Sequence, residues 1–196
     1  EVIDILANSN GGNGGNITIQ AGGNLKSDDI HSFGALDGGD VNLTIGGTFD
    51  ASGTDPADNT IGGILSCSSI NDQCEQGNGT GGTITVNATD NIIIGFADAS
   101  GQLGGGDINL TSTEGSIEIE FDVGSESSNG NGGNISLEAG ENIQFTDASS
   151  TANTGNGGTI KIQAGGDLTF DDIGTLGFVN GGDINLTVDG TVDNSK

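Results

Sequence analysis

Apolar and polar residues alternate in short bursts along this chain, and each burst follows a pair of glycines. Gly14-Gly15-Asn16-Ile17-Thr18-Ile19 has counterparts at Gly38-Gly39-Asp40-Val41-Asn42-Leu43 and Gly81-Gly82-Thr83-Ile84-Thr85-Val86. Four more follow, opening at Gly105, Gly132, Gly157 and Gly181. Apolar side chains fall two and four places after the second glycine, as in Ile17 and Ile19 or Ile135 and Leu137. A period of two predicts a strand with one buried face. Glycine is too frequent in any long window for a helix. A second apolar column follows a glycine-containing bend, at Leu25, Phe49, Ile92, Ile117, Ile143, Leu168 and Val192.

The spacing of these bursts identifies an internal repeat. From second glycine to second glycine the steps are 24, 43, 24, 27, 25 and 24 residues. The surplus in the long step contains Pro56, the single proline, together with Cys67 and Cys74. The expectation is one coil domain over residues 1–196 carrying an inserted side loop at 55–79.

A strand with one apolar face must bury it, and stacked copies turn each column into a ladder of like residues. A turn of about 24 residues holds three short strands and three bends. The predicted fold class is therefore all-β: a right-handed parallel β-helix, a solenoid of roughly seven rungs and roughly 35–40 Å. Glycines in the bends, such as Gly22-Gly23, Gly46-Gly47 and Gly165-Gly166, suit backbone with positive φ. The residue after each glycine pair reads Asn16, Asp40, Thr83, Asp107, Asn134, Thr159, Asp183. Aspartate never falls on two successive rungs there, which is what in-register stacking of charges demands. Residues 13–53 also resemble 156–196 at a constant offset, so the rungs alternate in pairs.

Charge narrows the function classes. The chain has 28 acids against Lys26, Lys161 and Lys196, with no arginine, for a net charge of −25. Phosphate recognition needs cationic side chains, so nucleic acid is excluded as a partner. Anionic lipid is excluded on the same ground, and no apolar run is long enough to insert in a membrane. Cys67 and Cys74 lie seven apart. As a disulfide they would close a small loop and imply an oxidising compartment; as separate thiols they would sit in a surface loop. The absence of Met and of a legible leader fits a processed or excised chain.

Candidate chemistry is sparse. His31 follows Asp28-Asp29-Ile30, but the matching repeat has Gly174 and no nucleophile is marked nearby, so it reads as a bend residue. Asp28, Asp29, Asp171 and Asp172 are candidate Ca²⁺ ligands, because hard cations take oxygen donors. Beyond that possible Ca²⁺, no cofactor and no catalytic residue is expected. The Asn-x-Thr/Ser triplets follow from the strand pattern itself.

At the level of the repeat, Gly14 to Leu25 followed by Asp29-Ile30 and Gly38 to Thr44 resembles filamentous-haemagglutinin-like exoproteins, nearest to the long cyanobacterial members. The resemblance implies a right-handed β-helix, export by two-partner secretion, and work as a secreted or cell-surface adhesin or matrix rod. Surface carbohydrate or other cells would then be partners. The secretion-signalling N-terminal domain of that family is not recognisable, and the cysteine segment departs from its repeats. Two other readings stand beside a non-enzymatic rod. One is a subunit polymerising end to end, since both termini fall within the pattern and 29 residues would join Gly182 to Gly15 through the ends. The other is a carbohydrate-active β-helix enzyme, for which the missing arginine is unfavourable.

Overall fold

The computed structural model describes residues 4–53, 62–70, 73–74 and 77–194. It is an all-β coil in which three sheets of seven parallel strands wrap a single apolar core. The first sheet holds the five-residue strands Ile17–Ala21, Val41–Ile45, Ile84–Ala88, Ile108–Ser112, Ile135–Ala139, Ile160–Ala164 and Ile184–Val188. The second holds shorter strands from Leu25–Lys26 to Val192–Asp193. The third runs from Ile5–Leu6 through Ile30–His31, Ile64–Leu65, Ala97–Asp98, Asp122–Gly124 and Asp147–Ser149 to Asp172–Gly174.

Register is kept from rung to rung. Ile17 pairs with Val41, Val41 with Ile84, Ile84 with Ile108, Ile108 with Ile135, and so on to Ile184. A one-residue slip would turn each column out to solvent, so burial of Val41, Ile84, Leu110 and Ile160 fixes the pairing. The third inward column is Ile5, Ile30, Ile64, Ala97, Val123, Ala148 and Ile173.

The 55–79 stretch is not one loop. Ile64–Leu65 pairs with Ile30–His31 on one side and Ala97–Asp98 on the other, so it is a full member of the third sheet. Fifteen positions separate Phe49 from Ile64, against five from Leu25 to Ile30. Twenty separate Ile64 from Ile84, against eleven from Ile30 to Val41. The surplus thus falls in two stretches of sequence, one on each side of that strand; 54–61, with Pro56, and 71–72 and 75–76 lie outside the described residues. Within the second stretch Ser69–Ile70 and Gln73–Cys74 form an antiparallel pair, and Cys67 is bonded to Cys74. Cys67 itself is buried, anchoring that stretch to the coil.

Many of the glycines act by close approach, while Gly22 and Gly23 face open space. None of the bend glycines has a positive φ, contrary to the expectation from the sequence. A Cβ at Gly46 would stand 2.6 Å from Gly22 O, and one at Gly140 would stand 2.5 Å from Thr113 O. The second glycine of most pairs is tightly enclosed: at Gly133 a Cβ would run into Gly106 O and Ser125 Oγ, whereas at Gly15 the nearest atom would lie 3.4 Å away. Those serines form a buried ladder. Ser32, Ser66, Ser125 and Ser150 donate from Oγ to the carbonyls of Gly15, Gly39, Gly106 and Gly133 at 2.5–2.6 Å. Three of them also accept an N–H from the rung above, from Gly39, Gly133 and Gly158.

Candidate functional site

The polar ladders are the first layer of surface chemistry. Asn16 Oδ1 accepts the backbone N–H of Asp40, and Asp40 Oδ1 that of Thr83, both at 2.9 Å. Asp107 and Asn134 do the same for Asn134 and Thr159. Each Asx side chain therefore satisfies a donor one rung up, and the Asn, Asp and Thr after the glycine pairs are structural. Their alternation keeps carboxylates apart in that column.

The third sheet does the opposite. Asp122, Asp147 and Asp172 are in register on three successive rungs, at the strand spacing of about 4.8 Å. Asp29 occupies the same column, but Gly63 and Phe96 interrupt it. Beside the column lie Asp98 and Glu126, bordering two adjoining clefts of about 300 and 490 Å³ that share Asp122, Glu126 and Ser149. Asp98 Oδ1 accepts the N–H of Ser100 at 2.8 Å, and Ser149 Oγ donates to Glu126 Oε1 at 2.6 Å.

Burial pushes the Asp98 carboxyl above the ordinary range, and the charge of Glu126 pushes it the same way against the opposing bonds from Ser100. Asp122 is also raised, first by burial and then by Asp147 and Glu126. Asp98 and Asp122 thus favour retention of their protons, and the patch presents carboxyl oxygens to hydroxyl or cationic groups. Among the described residues no group of three His, Cys, Asp or Glu side chains is arranged to hold a metal ion.

The four Ca²⁺ candidates are not brought together. Asp28 and Asp29 enter the second strand of the third sheet, and Asp171 and Asp172 the seventh, roughly 24 Å away along the stack. Asp28 is buried; Asp29 Oδ1 accepts the Gly63 N–H at 3.0 Å and lies 3.5 Å from His31 Nε2. His31 is a strand residue paired with Leu6 and Leu65, not a bend residue, and its ring lies 4.9 Å from that of Phe33. The cysteines, by contrast, are joined.

The acidic column is hard to read from the sequence because the inward residues beside it vary from Ala to Ile. The signal was present: Asp122-Val123, Asp147-Ala148 and Asp172-Ile173 recur at steps of 25. No protein-family model, curated protein or solved structure matches the chain.

Proposed function

We propose that this chain is a structural rod of the cell exterior, a secreted or cell-surface stalk or matrix element of adhesive type rather than an enzyme. The observation that carries the reading is the continuity of three in-register ladders through seven rungs. Such a stack gains its stability from nearest-neighbour rungs and extends by repetition, which is how a chain spans distance. The Cys67–Cys74 bond supports an oxidising compartment. The net charge of −25 favours solubility and keeps like rods apart at low salt. The repeat's likeness to filamentous-haemagglutinin-like exoproteins agrees with this role. Immunogold microscopy of producing cells, with and without mild surface proteolysis, tests it. Label outside the cell and lost on proteolysis is expected; label confined to the cytoplasm, with Cys67 and Cys74 reduced, would overturn it.

A second reading is a subunit that stacks end to end into a fibre. Ile184, Leu186 and Val192 stand in the same columns as Ile17, Ile19 and Leu25, so two copies would meet in register, and Asp183 would accept the Asn16 N–H as its equivalents do within the coil. Electron microscopy distinguishes the two: long unbranched fibres support stacking, and short uniform rods at all concentrations sink it.

A further inference from the structure

Acids are unevenly spread over the rod. The second and third sheets carry Asp50, Glu118, Asp122, Asp147 and Asp172 outward. The first sheet has fourteen outward positions, two on each of seven five-residue strands, and twelve of them hold Thr, Asn, Gln or Ser. The two charged ones, Glu138 and Lys161, lie on adjacent rungs 4.0 Å apart and offset each other. At the edge of this neutral face an open groove of about 270 Å³ crosses four rungs along the rod axis. Thr111, Thr113, Gln163 and Thr187 line it, with Glu138 and Asp189 beside them.

The backbone donors bordering the groove are already used. The N–H groups of Thr113, Gly140, Gly165 and Asp189 all donate to carbonyls one rung below. A peptide seeking to add as a strand finds no free ladder edge there. What remains is a row of hydroxyl, amide and carboxyl groups repeating at about 4.8 Å, able both to donate and to accept. A polyanion is repelled by the chain as a whole, and a polycation is drawn more strongly to the acidic third sheet. The occupant that matches is uncharged, extended, and rich in hydroxyls.

We propose that this groove binds a neutral polysaccharide laid along the rod axis, its hydroxyls bonded by Thr111, Thr113, Gln163 and Thr187. The inference deepens the reading of an extracellular rod and rests on it for the setting in which such a polymer is met.

The test is native affinity electrophoresis of the full chain in gels cast with galactomannan, xyloglucan or dextran, with polygalacturonate as the anionic comparator. Retardation by at least one neutral polymer and none by polygalacturonate is expected. The Thr111→Ala/Gln163→Ala double variant should bind at least about fivefold more weakly, from two lost hydrogen bonds, while its thermal transition stays close to that of the parent. Thr169→Ala, on the second sheet, should bind like the parent. No retardation by any neutral polymer, equal retardation of the double variant, or retardation by polygalacturonate alone would overturn the proposal. So would concentration-dependent sedimentation abolished by the same double variant, because the face would then join copies of the chain. Retained groove binding by a chain found only in the cytoplasm would leave the groove standing and overturn the rod reading.

Discussion

Ser125 offers a sharp test of how the rungs are locked. Its fully buried Oγ donates to Gly106 O at 2.5 Å and accepts from Gly133 N at 3.1 Å. Ser125→Ala removes both bonds and leaves a carbonyl oxygen facing a methyl group. At about 1 kcal/mol per hydrogen bond, with a further cost for a buried group left unpaired, the loss is about 2 kcal/mol. For a chain of this length that corresponds to a fall in Tm of roughly 4–8 °C. The column also contains a natural gap, since Ala99 stands between the rungs of Ser66 and Ser125 where four rungs have serine. Ala99→Ser would place a hydroxyl between Gly82 O and Gly106 N, and a gain of about 1 kcal/mol is expected. Urea unfolding followed by far-UV circular dichroism reads both, with Thr169→Ala as the exposed control. If both substitutions fall within about 0.5 kcal/mol of the parent, the hydroxyl ladder does not lock the rungs and the reasoning fails.

Gly133→Ala forces a Cβ into Gly106 O and should cost about 1–3 kcal/mol, whereas Gly22→Ala meets nothing within 4 Å and should stay near zero. Thermal melts of the two variants check the contrast, and equal losses would contradict the close-approach account. Reducing the Cys67–Cys74 bond opens a loop of eight residues and should lower stability by roughly 2–3 kcal/mol, read from urea midpoints with and without reductant. Asp98 and Asp122 have raised values in the folded chain, so it binds more protons than the unfolded one above the ordinary carboxylate range. Their contribution to stability therefore falls as pH rises through that window and is recovered on acidification. Asp98→Asn should raise the Tm near neutral pH and flatten its decline between the ordinary and the raised values; an unchanged pH profile would contradict the burial argument.

Most of the coil was legible because burial imposes a period of two and stacking imposes a period near 24. Leu43, Val86, Leu110 and Leu137 could hardly serve any arrangement but a ladder. The third sheet was harder to read: Ala97 and Ala148 fill inward positions with little hydrophobic signal. Ile64-Leu65 has that signal but stands between two stretches of surplus sequence, so an ordinary rung reads as part of one insertion. The role of the glycines is not legible, since sequence shows a missing Cβ but not whether conformation or a neighbouring backbone requires it. Ser32, Ser66, Ser125 and Ser150 repeat visibly, yet their partners are backbone carbonyls, which a sequence does not display. The acidic column Asp122–Asp147–Asp172 stacks like charges in register, against what repulsion alone favours, and the raised value of Asp122 reflects part of that cost.

Distances along the rod test the central claim most directly. Thr18, Asn42, Thr85, Asn109, Ser136, Lys161 and Asn185 form one outward column of the first sheet. Spin labels placed in pairs on these residues, measured by pulsed electron paramagnetic resonance, should report separations that grow by about 4.8 Å per rung, reaching roughly 29 Å between residues 18 and 185. The pair at residues 42 and 85, 43 positions apart in sequence, should measure as a single rung like the pair at residues 85 and 109. Separations that follow distance in sequence, or broad distributions without a rung increment, would contradict the solenoid.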